Sequence, residues 1–81
     1  MTGRATTVGM ERETSRTRCV GDDGSPLVVI EYQHVEHRRT DSGERTYPGA
    51  RRLALASGEP VRSLGDGAWE VIATGEVLRR A

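Results

Sequence analysis

From position 17 to the end of the chain, short β-branched and aliphatic runs alternate with Gly, Pro, Asp and Ser at close intervals, which predicts consecutive short strands. No segment keeps apolar residues at i, i+3, i+4 and i+7 for the length of a helix, so helix is at best a minor component. The head, MTGRATTVGMERETSR at residues 1–16, carries neither the helical nor the alternating period and is predicted to be a flexible tail.

The first strand is expected at 17–20, followed by the turn Gly21-Asp22-Asp23-Gly24, where glycine accepts positive φ without steric cost. The second runs from Leu27 to about Val35, and its alternation puts Val28, Ile30 and Tyr32 on one face and Val29, Glu31 and Gln33 on the other. Pro26 cannot donate to a ladder, so it belongs at the first position of that strand or on an edge. Residues 36–50, EHRRTDSGERTYPGA, read as a long polar connection with turn formers at Asp41, Ser42, Gly43, Pro48 and Gly49. Short elements follow at 51–55, 61–64, 68–73 and 76–80. Their connections, ASGEP, GDG and TG, are hairpin-length and contain Gly, so these strands run antiparallel as a meander.

The expected product is one small all-β domain over 17–81, with five or six antiparallel strands closing into an SH3-like barrel or a strongly bent sheet. Its expected core is Val28, Ile30, Leu53, Leu55, Val61, Leu64, Trp69, Val71, Ile72, Val77 and Leu78. Trp69, the only Trp, alternates with Val71 across Glu70 and supplies bulk to a core that has no Phe. Placing Gly24-Ser25-Pro26 on Gly58-Glu59-Pro60 also superposes Arg18-Cys19 on Arg52-Leu53 and Leu27 on Val61 without a gap. The two segments read either as one hairpin written twice or as a chance match of a handful of positions.

Composition changes this picture little but excludes much. The 81 residues allow one domain, and Leu, Ile, Val and Phe make up just under a fifth of them at zero net charge, so the stability margin is thin. All twelve basic residues are Arg, a usage that fits a G+C-rich bacterial genome. A single Cys19 rules out an intramolecular disulfide and a Cys-based zinc site, and suits a reducing compartment as a small apolar strand residue. The longest apolar run, residues 27–30, is far too short to span a membrane, and no apolar signal segment follows Met1, so the cytoplasm is the expected location.

The C-terminal run R-R-L-A-L-A-S-G-E-P-V, then W-E-V, then T-G-E-V-L-R-R, resembles the ending of short bacterial proteins of unknown function with a small SH3-like β domain. The resemblance covers about thirty residues. It implies a small β-rich domain and brings no catalytic residues with it.

Candidate chemistry is sparse. His34 and His37 lie three apart, a spacing that shares a helix face but not a strand face, and a metal would need a third ligand from Cys19, Glu36 or Asp41. The serines at 15, 25, 42, 57 and 63 sit in the tail, in turns or on a short strand with no G-x-S-x-G sequence, and Gly65-Asp66-Gly67 leads into a strand rather than the helix of a phosphate loop. No catalytic residue, cofactor, metal or small-molecule substrate is expected.

Charge segregation is more informative. Residues 19–36 hold Asp22, Asp23, Glu31 and Glu36 without an Arg, whereas residues 37–52 hold Arg38, Arg39, Arg45, Arg51 and Arg52 against Asp41 and Glu44. A basic loop with Tyr47 for stacking fits phosphates of a nucleic acid, and it equally fits the acidic strand of this chain or of a second subunit. Should the second strand lie at a sheet edge, Leu27 and Val29 would belong to an exposed template for a partner strand. The expected function is therefore a non-catalytic interaction module that contacts a protein partner or forms a homodimer through that strand and the Arg-rich loop. Weak nucleic-acid binding through residues 37–52 is the alternative.

Overall fold

A computed structural model describes the backbone of residues 6–81 and the side chains of residues 9–81. Six strands follow one another: β1 (Thr6–Val20), β2 (Pro26–Thr40), β3 (Gly43–Leu55), β4 (Pro60–Gly65), β5 (Ala68–Val71) and β6 (Val77–Arg80). Each is antiparallel to the next, and β6 returns to β1 to close a barrel. No helix occurs among the described residues. The expected all-β class and closed antiparallel barrel are what the chain forms.

The turns explain why these residues make hairpins. Asp66 and Gly67, with φ of 52° and 72°, form the two-residue loop between β4 and β5, and positive φ at both central positions is the twist-matched type I′ turn that Asp-Gly favours. The two segments noticed for their similarity are built alike. Gly24 N–H donates to Gly21 C=O and Gly21 N–H to Ser25 C=O, while Gly58 N–H donates to Leu55 C=O and Leu55 N–H to Glu59 C=O. Gly24 and Gly58, at corresponding positions of the two turns, are left-handed, with φ of 80° and 101°. Cys19 pairs with Leu27 as Leu53 pairs with Val61, and Val20 with Pro26 as Ala54 with Pro60. Each proline opens its strand, as expected for a residue without an N–H.

The barrel interior holds Cys19, Val29, Leu55, Val61, Trp69, Val71 and Leu78, with Leu27 and Leu53 packed against them. Several expectations change here. Leu64 and Ile72, expected inside, are 47% and 59% exposed. Leu64 falls on the bulge between Ser63 and Gly65, and β5 ends at Val71, so Ile72 begins the turn that Thr74 and Gly75 N–H close onto Val71 C=O. Phase is lost at both points. Val29, left out of the expected core, is the β2 residue that enters the barrel, whereas Val28, expected there, is half-buried and Ile30 is buried outside that cluster.

The largest departure lies in the first three strands. β1 begins at Thr6 rather than at Thr17, so most of the expected tail is strand, and residues 1–5 lie outside the described residues. The expected polar connection at 36–50 is the far end of the β2–β3 hairpin, whose register runs from Val29↔Leu55 to Thr40↔Gly43. Only the barrel-proximal ends of these strands meet β6 and β4: β1 pairs with β6 at Cys19 and Val20, and β3 pairs with β4 at Leu53 and Ala54. Beyond that point β1, β2 and β3 continue as a three-stranded ribbon. The described molecule accordingly measures 59 × 20 × 20 Å with a radius of gyration of 17.2 Å, against about 12 Å for a compact chain of this length.

Candidate functional site

The ribbon carries the Arg-rich segment, and its two faces follow from register, because cross-strand partners share a face. One face groups Glu13, Tyr32 and Arg52; then Glu11 and His34; then Gly9, Glu36 and Tyr47; then Arg38 and Arg45. The other groups Arg12, Gln33 and Arg51; then Met10, Val35 and Pro48; then His37 and Thr46; then Arg39 and Glu44.

On the first face the guanidinium of Arg52 lies 4.5 Å from the Tyr32 ring centroid and grips Glu11 through Nε and Nη2 at 2.6 and 2.8 Å. That bidentate hydrogen bond holds the Glu11 carboxyl below its ordinary value of 4.5. Arg38 repeats the arrangement nearer the tip, 4.8 Å from the Tyr47 ring centroid and 3.2 Å from Glu36. Between these pairs the ring of His34 lies against two glycines on the flanking strands. A Cβ at Gly9 would come within 2.8 Å of its Cε1, and one at Gly49 within 3.2 Å of its Cδ2. His37, on the opposite face, meets Thr46 Oγ1 at 3.2 Å. Among the described residues no group of His, Cys, Asp or Glu comes together as a metal site.

The predicted interaction residues therefore separate. Arg38, Arg51 and Arg52 each have a carboxylate partner, Arg51 through Glu31 at 3.9 Å. Arg39 stands opposite Glu44. Arg45 alone of the five has no cross-strand or ion-pair carboxylate among the described residues, and it faces Arg38 directly. Tyr47 is exposed but sits beneath Arg38. Val29 is not on a surface, being 3% exposed inside the barrel, and Leu27 is half-buried against the same cluster. Nor is β2 an edge strand, since it pairs with β1 on one side and β3 on the other along its length.

The open edges lie elsewhere, on β1 and β3. Upstream of Arg18, whose carbonyl accepts the N–H of Ala81, the outer side of β1 has no backbone partner among the described residues, and neither has β3 across 43–52. β3 guards its edge with Pro48 and with the bulge opposite the step from Gln33 to Val35. β1 has no proline, and its one irregularity lies between Glu13 and Ser15, which leaves residues 6–13 as a regular open edge. Met10, at 51% exposure, stands on it beside buried Val35.

These are residues that sequence reading missed. Glu11 and Met10 fell in the presumed tail, where no apolar period marks a strand, so nothing in the sequence singled them out. A groove of about 420 Å³ also opens where β3 leaves the barrel, lined by Leu53, Pro60, Val61 and Ile72 together with Glu31, Arg51, Arg52 and Arg62. The guanidinium of Arg62 is taken by Glu70 at 2.6 Å. No helix among the described residues is long and apolar enough to cross a membrane. Comparisons with protein families, with curated proteins and with solved structures return no match.

Proposed function

We propose that the protein is a non-catalytic protein-interaction module of the cytoplasm, in which the barrel is a foundation and the ribbon presents the open edge of β1 to an extended partner strand. One observation carries this reading. Barrel strands pair on both sides, whereas residues 6–13 of β1 extend beyond the barrel with one side unpaired among the described residues, no proline and no bulge. Main-chain hydrogen bonds along such an edge give affinity, and alternate side chains give selectivity. The single buried Cys19 fits a reducing location.

The nucleic-acid alternative has less support, because three of the five ribbon arginines already hold carboxylates, and counterion release requires cations that phosphates can neutralise. The test is a titration of isotope-labelled protein with extended peptides selected from a random display library. Chemical-shift changes should concentrate on residues 6–17. Met10→Pro and Glu11→Pro remove successive amides, which alternate between β2 and the open side, so the one directed outward should abolish binding with the barrel intact. Shifts centred on the barrel, or retention on single-stranded DNA at about 50 mM salt that fades steeply by about 200 mM, would replace this reading with another.

A further inference from the structure

We infer that the strand received by the β1 edge is β1 of a second copy of this chain, paired antiparallel about a two-fold axis at Met10; this rests on the edge-pairing reading above. Two-fold pairing across a sheet places residue i opposite residue j with i + j even, since cross-strand partners share a face. Few registers are open to β1.

Centring on Glu11 sets Glu11 against its own copy. Centring on Arg12 sets Arg12 against Arg12 and Glu11 against Glu13, and like charges directly opposite are destabilising. Centring on Gly9 avoids these clashes but leaves Glu13 beyond the paired segment. Centring on Met10 places Thr7 opposite Glu13, Val8 opposite Arg12 and Gly9 opposite Glu11, with no like charges facing, and pairs residues 7–13 up to the bulge.

The side chains agree with the charges. Met10, half exposed at the open edge, shares its row with Val35 and Pro48. Pairing about Met10 brings the two methionines together at the axis and joins the two rows into one apolar stripe, Pro48-Val35-Met10 continued by the partner copy in reverse order. The two ribbons become a single six-stranded sheet with a barrel at each end and the β3 edges, protected by Pro48, outermost.

The experiment uses the full chain. Sedimentation equilibrium should show a concentration-dependent shift from 8.9 kDa toward twice that mass. Directly opposed residues have Cα atoms about 4.5–5.5 Å apart, within disulfide reach. Met10→Cys should therefore oxidise to a covalent dimer at least tenfold faster than Arg12→Cys, whose copies would lie about four residues apart. Val8→Lys, facing Arg12 twice in the dimer, should weaken association at least tenfold, and Val8→Glu should strengthen it.

A strict monomer at about 0.5 mM that still binds extended peptides on residues 6–17 overturns the dimer and leaves the edge-pairing reading standing. A dimer in which Met10→Cys does not cross-link and the sign of charge at position 8 has no effect overturns the register. If in addition an Ile72→Arg change abolishes that dimer, the β1 edge is not the contact and both readings fall.

Discussion

Trp69→Ala tests the barrel core most directly. Trp69 is 7% exposed, pairs with Ser63 and Leu78 on either side, and packs among Cys19, Val29, Leu55, Val61, Val71 and Leu78. An aromatic side chain buries about 150–250 Å², worth roughly 4–6 kcal/mol at about 25 cal/mol per Å². Alanine retains part of that, so the expected cost is about 3–5 kcal/mol, in line with large-to-small core changes generally. A chain of 81 residues has a total stability of roughly 4–12 kcal/mol. At the low end of that range the variant would be largely unfolded at 25 °C, and at any point in it a sizeable share of the stability is lost.

Because Trp69 is the only Trp, the assay is urea unfolding followed by far-ultraviolet circular dichroism rather than by fluorescence. Trp69→Phe should keep the fold and provide a measurable midpoint shift at unchanged slope. The controls are Leu64→Ala and Ile72→Ala, which alternation alone would place inside and which are about half exposed. Each should cost under about 0.5 kcal/mol, as surface changes do. A loss below about 1 kcal/mol at Trp69, or equal losses at all three positions, would refute this assignment of the core.

Four further outcomes follow from particular residues. Gly24→Ala and Gly58→Ala put a Cβ on left-handed backbone in two turns of the same construction, so each should lower stability by about 1–2 kcal/mol and by similar amounts, read from thermal midpoints. Glu11 is held below its ordinary value by Arg52, so its contribution to the ribbon is complete above about pH 4.5 and is lost as pH falls through the lower folded value; amide exchange of residues 10–13 should quicken there, and Glu11→Gln should remove that pH dependence. Burial pushes the Cys19 thiol up from 9.0, so it should resist a thiol reagent at pH 8 in the native protein and react once urea unfolds the barrel. Gly9→Ala should turn the His34 ring away from β1 and shift its imidazole resonances while leaving the unfolding free energy of the barrel within about 0.5 kcal/mol of its starting value.

The barrel was legible in the sequence because its strands face one shared interior. Val61, Trp69, Val71 and Leu78 alternate with polar residues, and the Asp-Gly and Pro-flanked turns between them name their own geometry. The ribbon was not legible, for a physical reason: its strands have no common core, so β1 and β3 carry polar residues on both faces and show no period. What joins them is Arg52 to Glu11 and Tyr32, and Arg38 to Glu36 and Tyr47, interactions that exist only once register is set. The segregated charges of β2 and of residues 37–52 were visible, but their meaning changed. The acidic and basic segments lie side by side, and Glu31 reaches Arg51 within the chain. Misplacing Leu64 and Ile72 has a simpler origin: Leu64 sits on a bulge and Ile72 lies past the end of β5, so the alternation that places their neighbours does not extend to them.

The seam between β1 and β6 has a consequence for how the chain reaches this state. Every other strand pairs with its neighbour in sequence, so most of the sheet can zip from hairpin to hairpin with short loop closures. The contact of Cys19 and Val20 with Arg80 and Arg79 joins residues some sixty positions apart, and few pairs hold it. Substitutions along β6 should then mainly speed unfolding, whereas those in the β1–β2–β3 hairpins slow folding. The order of events would run from the ribbon-bearing strands toward closure, with Leu78 entering the core as the barrel shuts.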